Sequence, residues 1–289
     1  MSASVIFCGT PAFAVPSLEA LAADPAFDVS LVITQPDRPV GRSKELIASP
    51  VKQAAQRLHL PVAQPENINH MLADTQYPIP NPQFLIVVAY GQILSQHILD
   101  LPQIAPVNVH GSLLPRWRGA SPVEHAILAG DTETGVTIQI METTLDTGPI
   151  LAMRKTPIGP RDTTLQLKER LCVIGADLLV QTLKAPLRPI PQPTEGITVC
   201  RKLSREDGRA EPQTMTAQQI DRMVRALVPW PGVTCFINGQ ALKLIATALE
   251  PTDTSIPLPC AQGTTLHLVT VQEAGKRAMT GQEWERGQR

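Results

Sequence analysis

Two residues suited to proton transfer and hydrogen bonding occupy alternate positions of a short apolar run, VNVH, which ends at His110. Successive side chains of a strand point to opposite faces, so Asn108 and His110 would share one face. The run follows the continuous apolar segment FLIVVAY, which is typical of a central strand. We therefore expect both residues at the carboxyl end of a central strand, where open α/β sheets keep their ligand crevices. The alternative is that a strand end merely surfaces there and His110 only caps a neighbouring group.

A carboxylate and a constrained loop accompany this pair. Asp146 lies in the turn-forming sequence LDTG, and Gly111 and Pro115 constrain the chain just after the histidine. Histidine passes protons near neutral pH, and a carboxylate beside it can fix its tautomer. An amide can donate to a developing oxyanion. An Asn-His-Asp set without a protein nucleophile suits direct acyl transfer to an amine that belongs to the substrate.

Other catalytic classes fit less well. Ser112 is two residues from His110 along an extended backbone, which is poor geometry for the hydrogen bond of a serine triad. The segment FCGTPAF lacks the G-x-G-x-x-G spacing of a dinucleotide site, so a nicotinamide enzyme is disfavoured. The six histidines are scattered, and none lies at metal-ligand spacing from another histidine or a cysteine. We therefore expect no metal site.

The composition indicates a globular protein with local rather than global charge. The 289 residues carry a net charge of −1, so any RNA partner would have to be bound by local basic patches. The five cysteines form no C-x-x-C pair and are expected to be reduced thiols. The N-terminus has no basic n-region, and the apolar runs are too short to span a bilayer. We expect a cytoplasmic protein with no membrane partner.

Alternating strand and helix patterns predict the elements that position the candidate site. Their order favours an α/β fold with a doubly wound, Rossmann-like parallel sheet. Helices are predicted from Pro16, after Ser49 as N-cap, and over Thr163 to Leu183 with Asp162 as cap. The predicted strands run from Val5 to Cys8, Val29 to Thr34, Phe84 to Tyr90, Val107 to His110 and Gly135 to Met141, with a further strand after LDTG.

A second, smaller domain is predicted after a proline-containing connection. Residues 185–204 contain four prolines and little periodicity. We place the first domain at residues 1–189, the linker at 190–204 and the second domain at 205–289. A helix over Ala217 to Leu227 and the strand-like runs VTCFIN, ALKLIATAL and TLHLVTV predict a small OB-like β-barrel.

The motifs NVHGSLLP, LDTG and VVAYGQIL resemble the folate-dependent formyltransferases. GTPAFAVPSLEAL, TQPDRPVGR, SPVK, HGSLLPRWRGASP, GDTETGVTI and GKRAM resemble the branch of that family that formylates methionine carried by initiator tRNA. The similarity covers nearly the whole chain. It implies 10-formyltetrahydrofolate as the formyl donor and initiator methionyl-tRNA as the acceptor, with a monomeric enzyme. Between LEPTDTSIPLP and VQEAGKRAM the chain is shorter than is usual in the family, so part of the barrel is expected to be missing.

The resemblance also implies roles for individual residues. Asn108, His110 and Asp146 match the catalytic amide, imidazole and carboxylate. The residues that match folate-binding segments are Val88, Ala89, Tyr90, Gly91, Ile93, Leu94, Ser112, Leu113, Leu114 and Pro115. The residues of the basic loop that matches an acceptor-stem contact are Arg38, Gly41, Arg42 and Lys44.

Three alternatives remain open at the level of sequence. A solvated charged loop explains the charge of the basic segment equally well, since residues 38–57 carry five basic residues and a single acid, Glu45. A related formyltransferase could act on a small amine, such as glycinamide ribonucleotide or an amino-sugar nucleotide. A catalytically inactive relative could serve as an RNA-binding module. The second domain argues against a formyltransferase for small amines. The intact Asn-His-Asp set argues against a catalytically inactive RNA-binding module.

Overall fold

The computed structural model describes residues 2–40, 45–73, 81–237 and 239–288. Within these residues it contains sixteen strands and seven α-helices. The strands are β1 (Ala3–Gly9), β2 (Phe27–Ile33), β3 (Arg38–Val40), β4 (Glu45–Ile47), β5 (Val62–Ala63), β6 (Phe84–Val88), β7 (Ala105–His110), β8 (Arg118–Gly119), β9 (Glu133–Ile140), β10 (Ile150–Pro157), β11 (Val199–Cys200), β12 (Val233–Ile237), β13 (Gln240–Ala248), β14 (Ile256–Pro259), β15 (Thr265–Glu273) and β16 (Met279–Thr280). The helices are α1 (Val15–Ala23), α2 (Pro50–Arg57), α3 (Gln96–Leu99), α4 (Pro122–Ala129), α5 (Thr164–Leu183), α6 (Ala217–Leu227) and α7 (Gly281–Arg286).

Backbone contacts divide the chain into two compact units. The first unit comprises Met1–Gly119, Gly135–Thr156 and Lys168–Val199, and the second comprises Ala120–Thr134, Pro157–Leu167 and Cys200–Arg289. The first therefore includes Gln192 and its neighbours, which the sequence assigned to a linker. The boundaries proposed at residues 189 and 205 stay a prediction.

A seven-stranded sheet, mainly in the first unit, has the order β10-β9-β7-β6-β1-β2-β5. Strands β5, β2, β1, β6 and β7 are mutually parallel, which confirms the predicted doubly wound sheet. From β1 the chain builds outward to β2 and β5 and then returns to place β6 on the other side of β1. This reversal is a topological switch point, and ligands bind at the carboxyl ends of the strands beside such a point.

One strand runs antiparallel to the strand beside it. β9 pairs with β7 in the antiparallel sense at one side of the predicted parallel sheet. The sequence assigned no direction to β9, because periodicity identifies a strand but not its direction. The antiparallel register places Gln139 directly opposite Asn108 and Thr137 opposite His110.

Local sequence accounts for most elements of this unit. All five residues of β6 are buried, as the apolar run predicts for a central strand. Helix α2 begins at Pro50, and the Ser49 side chain accepts a hydrogen bond from the Lys52 amide, which confirms that cap.

The cap assigned to α5 was wrong. The Thr163 hydroxyl accepts from the Gln166 amide at 3.4 Å, and the Gln166 side chain accepts from the Thr163 amide at 3.0 Å. Asp162 instead accepts from the Gly159 amide at 2.8 Å and closes the preceding turn. Both residues are good cap formers, so only the start of the helix distinguishes them.

The second unit contains a smaller antiparallel sheet, as expected. Its strand order is β12-β13-β15-β14, with β16 beside β15. The interval that is short for the resembled family, residues 260–270, still provides the first part of β15, which pairs with β14. Helix α6 has the predicted bounds and begins with a capping box between Thr216 and Gln219. Within this unit the buried Asp221 carboxylate accepts from Arg161, Arg225 and Thr247.

No helix in the described part of the chain is both long and apolar enough to cross a membrane. No group of three or more His, Cys, Asp or Glu side chains there is placed to hold a metal ion.

Candidate active site

The carboxyl end of β7 carries Asn108 and His110. The two side chains emerge on the same face, because both approach one oxygen of Asp146. Side chains that oppose each other across paired strands also share a face, so Gln139 joins them from β9. The alternation of VNVH and the pairing of β7 with β9 together bring an amide, an imidazole and a second amide to one place.

The Asp146 carboxylate is held by three N–H donors. The Gly119 amide donates to Oδ2 at 2.8 Å, and Gln139 Nε2 donates to Oδ1 at 2.9 Å. Asn108 Nδ2 donates to the same Oδ1 at 3.4 Å. The side chain of Asp146 is only 7% exposed. Burying a carboxylate is costly unless donors satisfy its oxygens, so these bonds offset that cost and fix its position.

His110 has an oxygen beside each ring nitrogen. Nδ1 lies 3.5 Å from Asp146 Oδ1, and Nε2 lies 2.9 Å from the Trp117 carbonyl oxygen. A neutral imidazole carries one N–H and can donate to only one of these oxygens, whereas a ring that has taken up a second proton can donate to both. The surroundings of His110 thus suit a group that accepts a proton during a reaction.

The loop after β7 is folded by hydrogen bonds that place the Trp117 carbonyl. The Ser112 hydroxyl donates to the Arg116 carbonyl at 2.6 Å, and the Trp117 amide donates to Thr198 Oγ1 at 2.8 Å. The backbone of Trp117 is left-handed, with φ of 61°. The buried Ser112 hydroxyl is thus engaged within the loop.

Two glutamines at the site were missed by the sequence analysis. Gln139 continues the regular polar and apolar alternation of β9 on the face of Thr137, and a polar side chain on that face beside β7 was an available signal. Gln192 donates to the backbone of the turn that carries Asp146. It lies in the proline-containing segment, where no local pattern marks it.

An open cleft with a cavity volume of about 130 Å³ lies beside Asn108 and Asp146. Two large apolar side chains at this cleft are exposed, Ile93 by 80% and Leu145 by 63%. Apolar walls beside a few convergent polar groups are typical of a small-molecule site. The cleft therefore suits a flat, largely apolar ligand whose reactive end reaches the polar groups.

The structure divides the residues predicted to bind folate. Leu94 lines the cleft with Ile93, and Ala89 and Gly91 are exposed with left-handed backbone, φ 46° and 92°. Leu113 and Pro115 are partly exposed. The buried members of this set are Val88, Tyr90, Leu94, Ser112 and Leu114. Leu94 still lines the cleft, whereas burial leaves the other four only their backbone atoms or packing for a role in ligand binding.

Tyr90 illustrates such a packing role. Its ring lies in the core with Cys8, and burial raises the pKa of its hydroxyl, which has no hydrogen-bond partner among the described residues. The Thr10 hydroxyl donates to the Tyr90 carbonyl at 2.8 Å. Tyr90 thus fixes the segment after β6 through its ring and its backbone.

The predicted tRNA-binding residues are Arg38, the first residue of β3, and three residues that follow β3 in the sequence. Arg38 is exposed and forms an ion pair with Glu66 at 3.5 Å. Gly41, Arg42 and Lys44 lie outside the described residues. Of the four predicted tRNA-binding residues, the structure therefore describes only Arg38.

Two family models match nearly the whole chain. The formyl transferase family model matches residues 1–183, and the model of the formyl transferase C-terminal domain matches residues 202–289. The chain therefore belongs to the formyl transferase family.

Bacterial relatives match the chain along its whole length. A methionyl-tRNA formyltransferase of Roseiflexus sp. (strain RS-1) is 44% identical, with 100% of this chain and 94% of the relative covered. The methionyl-tRNA formyltransferase of Roseiflexus castenholzii is 45% identical, with 100% and 97% covered. That of Paracoccus denitrificans is 42% identical, with 98% and 97% covered.

Solved structures share the fold at lower identity. An N-formyltransferase from Helicobacter canadensis, in complex with folinic acid and dTDP-3-aminofucose, superposes with a TM-score of 0.68 at 18% identity, covering 93% of this chain and 99% of that chain. The sugar 3N-formyltransferase WlaRD gives 0.67 at 15% identity, covering 96% and 100%. At this identity the likeness concerns the fold alone.

Proposed function

We propose that this enzyme transfers the formyl group of 10-formyltetrahydrofolate to the α-amine of methionine esterified to initiator tRNA. The observation that carries the proposal is similarity over essentially the full length of both chains, at 38–45% identity, to proteins named methionyl-tRNA formyltransferase. The cluster of Asn108, His110 and Asp146 supports it, since it offers proton handling and a hydrogen-bond donor without a nucleophile.

The three residues divide the chemistry of direct transfer. The amine nitrogen forms a bond to the formyl carbon, and the electron pair of the carbonyl moves to oxygen. Asn108 has two N–H groups, so it can donate one to Asp146 and the other to this oxyanion. His110 accepts the proton that the amine releases, while Asp146 stabilises the charged ring. Collapse of the oxyanion breaks the bond to folate N10, which leaves with the proton that the charged His110 ring returns.

The cleft residues fit the folate cosubstrate in chemical type. Ile93 and Leu145 provide exposed apolar surface for a flat ring system, and Asn108 and Asp146 provide polar groups at the reactive end. Backbone groups after β6 and in the 111–115 loop would bind the pterin. When bound, the folate supplies an activated formyl group.

The tRNA is assigned to two parts of the chain. In this proposal residues 1–189 perform the chemistry, residues 190–204 connect, and residues 205–289 bind tRNA phosphates. Arg38, Gly41, Arg42 and Lys44 would reach the acceptor end of the tRNA. We further propose that the enzyme acts as a monomer in the cytoplasm.

The decisive experiment compares acceptors. Purified protein is incubated with 10-formyltetrahydrofolate and either methionyl initiator tRNA, uncharged tRNA, glycinamide ribonucleotide or an amino-sugar nucleotide, and formylated product is quantified. We expect product only with the charged tRNA. Preferred formylation of a small amine, or tRNA binding without any transfer, would overturn the proposal.

A pair of histidine variants tests the assignment of the proton acceptor. His110→Ala is expected to lower turnover by about a hundredfold or more, the scale of general acid-base catalysis. His97→Ala, at an exposed position of α3, is the matched control and should retain full turnover. Retention of turnover by folded His110→Ala would remove His110 from the mechanism.

A further inference from the structure

Gln192 joins the two ends of the turn that carries Asp146. Its Nε2 donates to the Asp146 carbonyl at 2.9 Å and to the Gly148 carbonyl at 2.8 Å. Both N–H groups of the amide are therefore used on the backbone of this turn. A glutamine from the proline-containing segment thus holds the turn on which the candidate carboxylate depends.

Arg118 determines which way this amide points. Its guanidinium donates to Gln192 Oε1 from Nε at 3.1 Å and from Nη2 at 2.7 Å. With the oxygen engaged by arginine, the NH₂ group must face the two carbonyls. The next residue, Gly119, donates its amide to Asp146 Oδ2. Residues 118–119 therefore reach Asp146 twice, directly and through Gln192.

The turn needs such restraint because its backbone is strained. Asp146 has φ of 55°, in the left-handed region that favours glycine. A residue held in such a conformation keeps it only when its surroundings fix it. The turn also lies tightly against β9, since a Cβ on Gly148 would come within 1.9 Å of the Ile140 carbonyl.

We propose that Gln192, oriented by Arg118, is a positioning residue that holds Asp146 in register with His110. The inference rests on the proposed function. Gln192 acts through the backbone of the turn that carries Asp146 and through Gln139, whose Oε1 lies 3.3 Å from Gln192 Nε2. Loss of its two bonds would let the turn relax, and a small displacement of a catalytic group costs far more in rate than in binding.

The test uses Gln192→Glu, which keeps the shape and the arginine contact but replaces the NH₂ donor with a carboxylate oxygen. We expect kcat for formyl transfer to fall about ten- to a hundredfold, with the KM of each substrate changed by less than about threefold. Protonation of the new carboxyl restores one donor, so the ratio of variant to wild-type kcat should rise as the pH falls.

A matched control exists on α5. Gln181 also accepts from an arginine, Arg154, at 2.9 Å and donates to a carboxylate, Asp177, at 2.8 Å, but on an exposed helix surface. Gln181→Glu should leave kcat and its pH profile unchanged. Gln192→Met, which removes both kinds of hydrogen bond, should lower kcat without recovery at low pH.

The outcomes separate the two proposals. A wild-type enzyme that forms no formyl product with any acceptor would end the proposed function. An active wild type, with Gln192→Glu and Gln192→Met both at wild-type kcat, would end the positioning role alone. A change in KM alone, with kcat at the wild-type value, would also end the positioning role. If Gln192→Glu fails to fold, the kcat of Gln192→Met decides by the same criteria.

Discussion

Replacing Asp146 by asparagine should separate its electrostatic role from its structural one. Asp146→Asn keeps the shape of the side chain but removes the charge and one acceptor. In the wild type the two oxygens accept from the Gly119 amide and from Gln139 Nε2. An asparagine has one oxygen, so in either orientation its NH₂ group meets one of those two donors.

The clash between the new NH₂ group and an N–H donor sets the size of the loss in stability. One buried N–H is left unpaired, which lowers the free energy of unfolding by about 1–3 kcal/mol. At about 2–4 °C per kcal/mol, the unfolding midpoint should fall by several degrees. The stabilisation of the charged His110 ring is lost as well, so turnover should fall by about a hundredfold, or roughly 2.7 kcal/mol of activation free energy.

A second substitution separates the loss of stability from the loss of turnover. Gln139→Glu in the Asp146→Asn background provides an acceptor for the new NH₂ group, so the midpoint should recover in part. Turnover should stay low, because the carboxylate is no longer beside His110. Asp177→Asn, at a half-exposed site on α5, is the control with unchanged turnover. The reasoning is refuted if Asp146→Asn keeps near-normal turnover, or if the double variant regains turnover together with stability.

Three further predictions concern stability and reactivity. The Arg201 guanidinium lowers the pKa of Asp207 from 3.8 to about 2, so this carboxylate stabilises the fold above pH 4 and the effect is lost between pH 4 and 2. Asp207→Asn should lower the free energy of unfolding by about 1 kcal/mol at pH 7, with the difference shrinking across that window in denaturant titrations. Burial raises the pKa of the Cys8 and Cys235 thiols, so neither should be alkylated at pH 8 in the folded protein. Peptide mass spectrometry measures the labelling, and labelling as fast as in the unfolded protein would contradict the burial. Thr163→Ala should cost about 1 kcal/mol through the lost α5 cap, and an unchanged denaturation midpoint would deny it that role.

Local periodicity carried most of the fold prediction. The run FLIVV predicts a buried central strand because no polar residue interrupts it, and β6 is buried throughout. Helix α6 begins and ends where the sequence pattern does. Helix α4 and the antiparallel pair of β3 and β4 were not predicted. Strand direction was not predictable either, since β9 has the same alternation whichever way it runs.

For the candidate site, the sequence by itself determined that Asn108 and His110 share a face, because the period of a strand is two residues. It also provided a carboxylate on a turn, at Asp146. Only the tertiary structure decided that this carboxylate meets the histidine. That meeting depends on the antiparallel register of β9, on a left-handed backbone at Asp146, and on donors from Gly119 and Gln192. These contacts join residues 27–46 positions apart in sequence, and no local pattern encodes contacts between segments that only folding brings together.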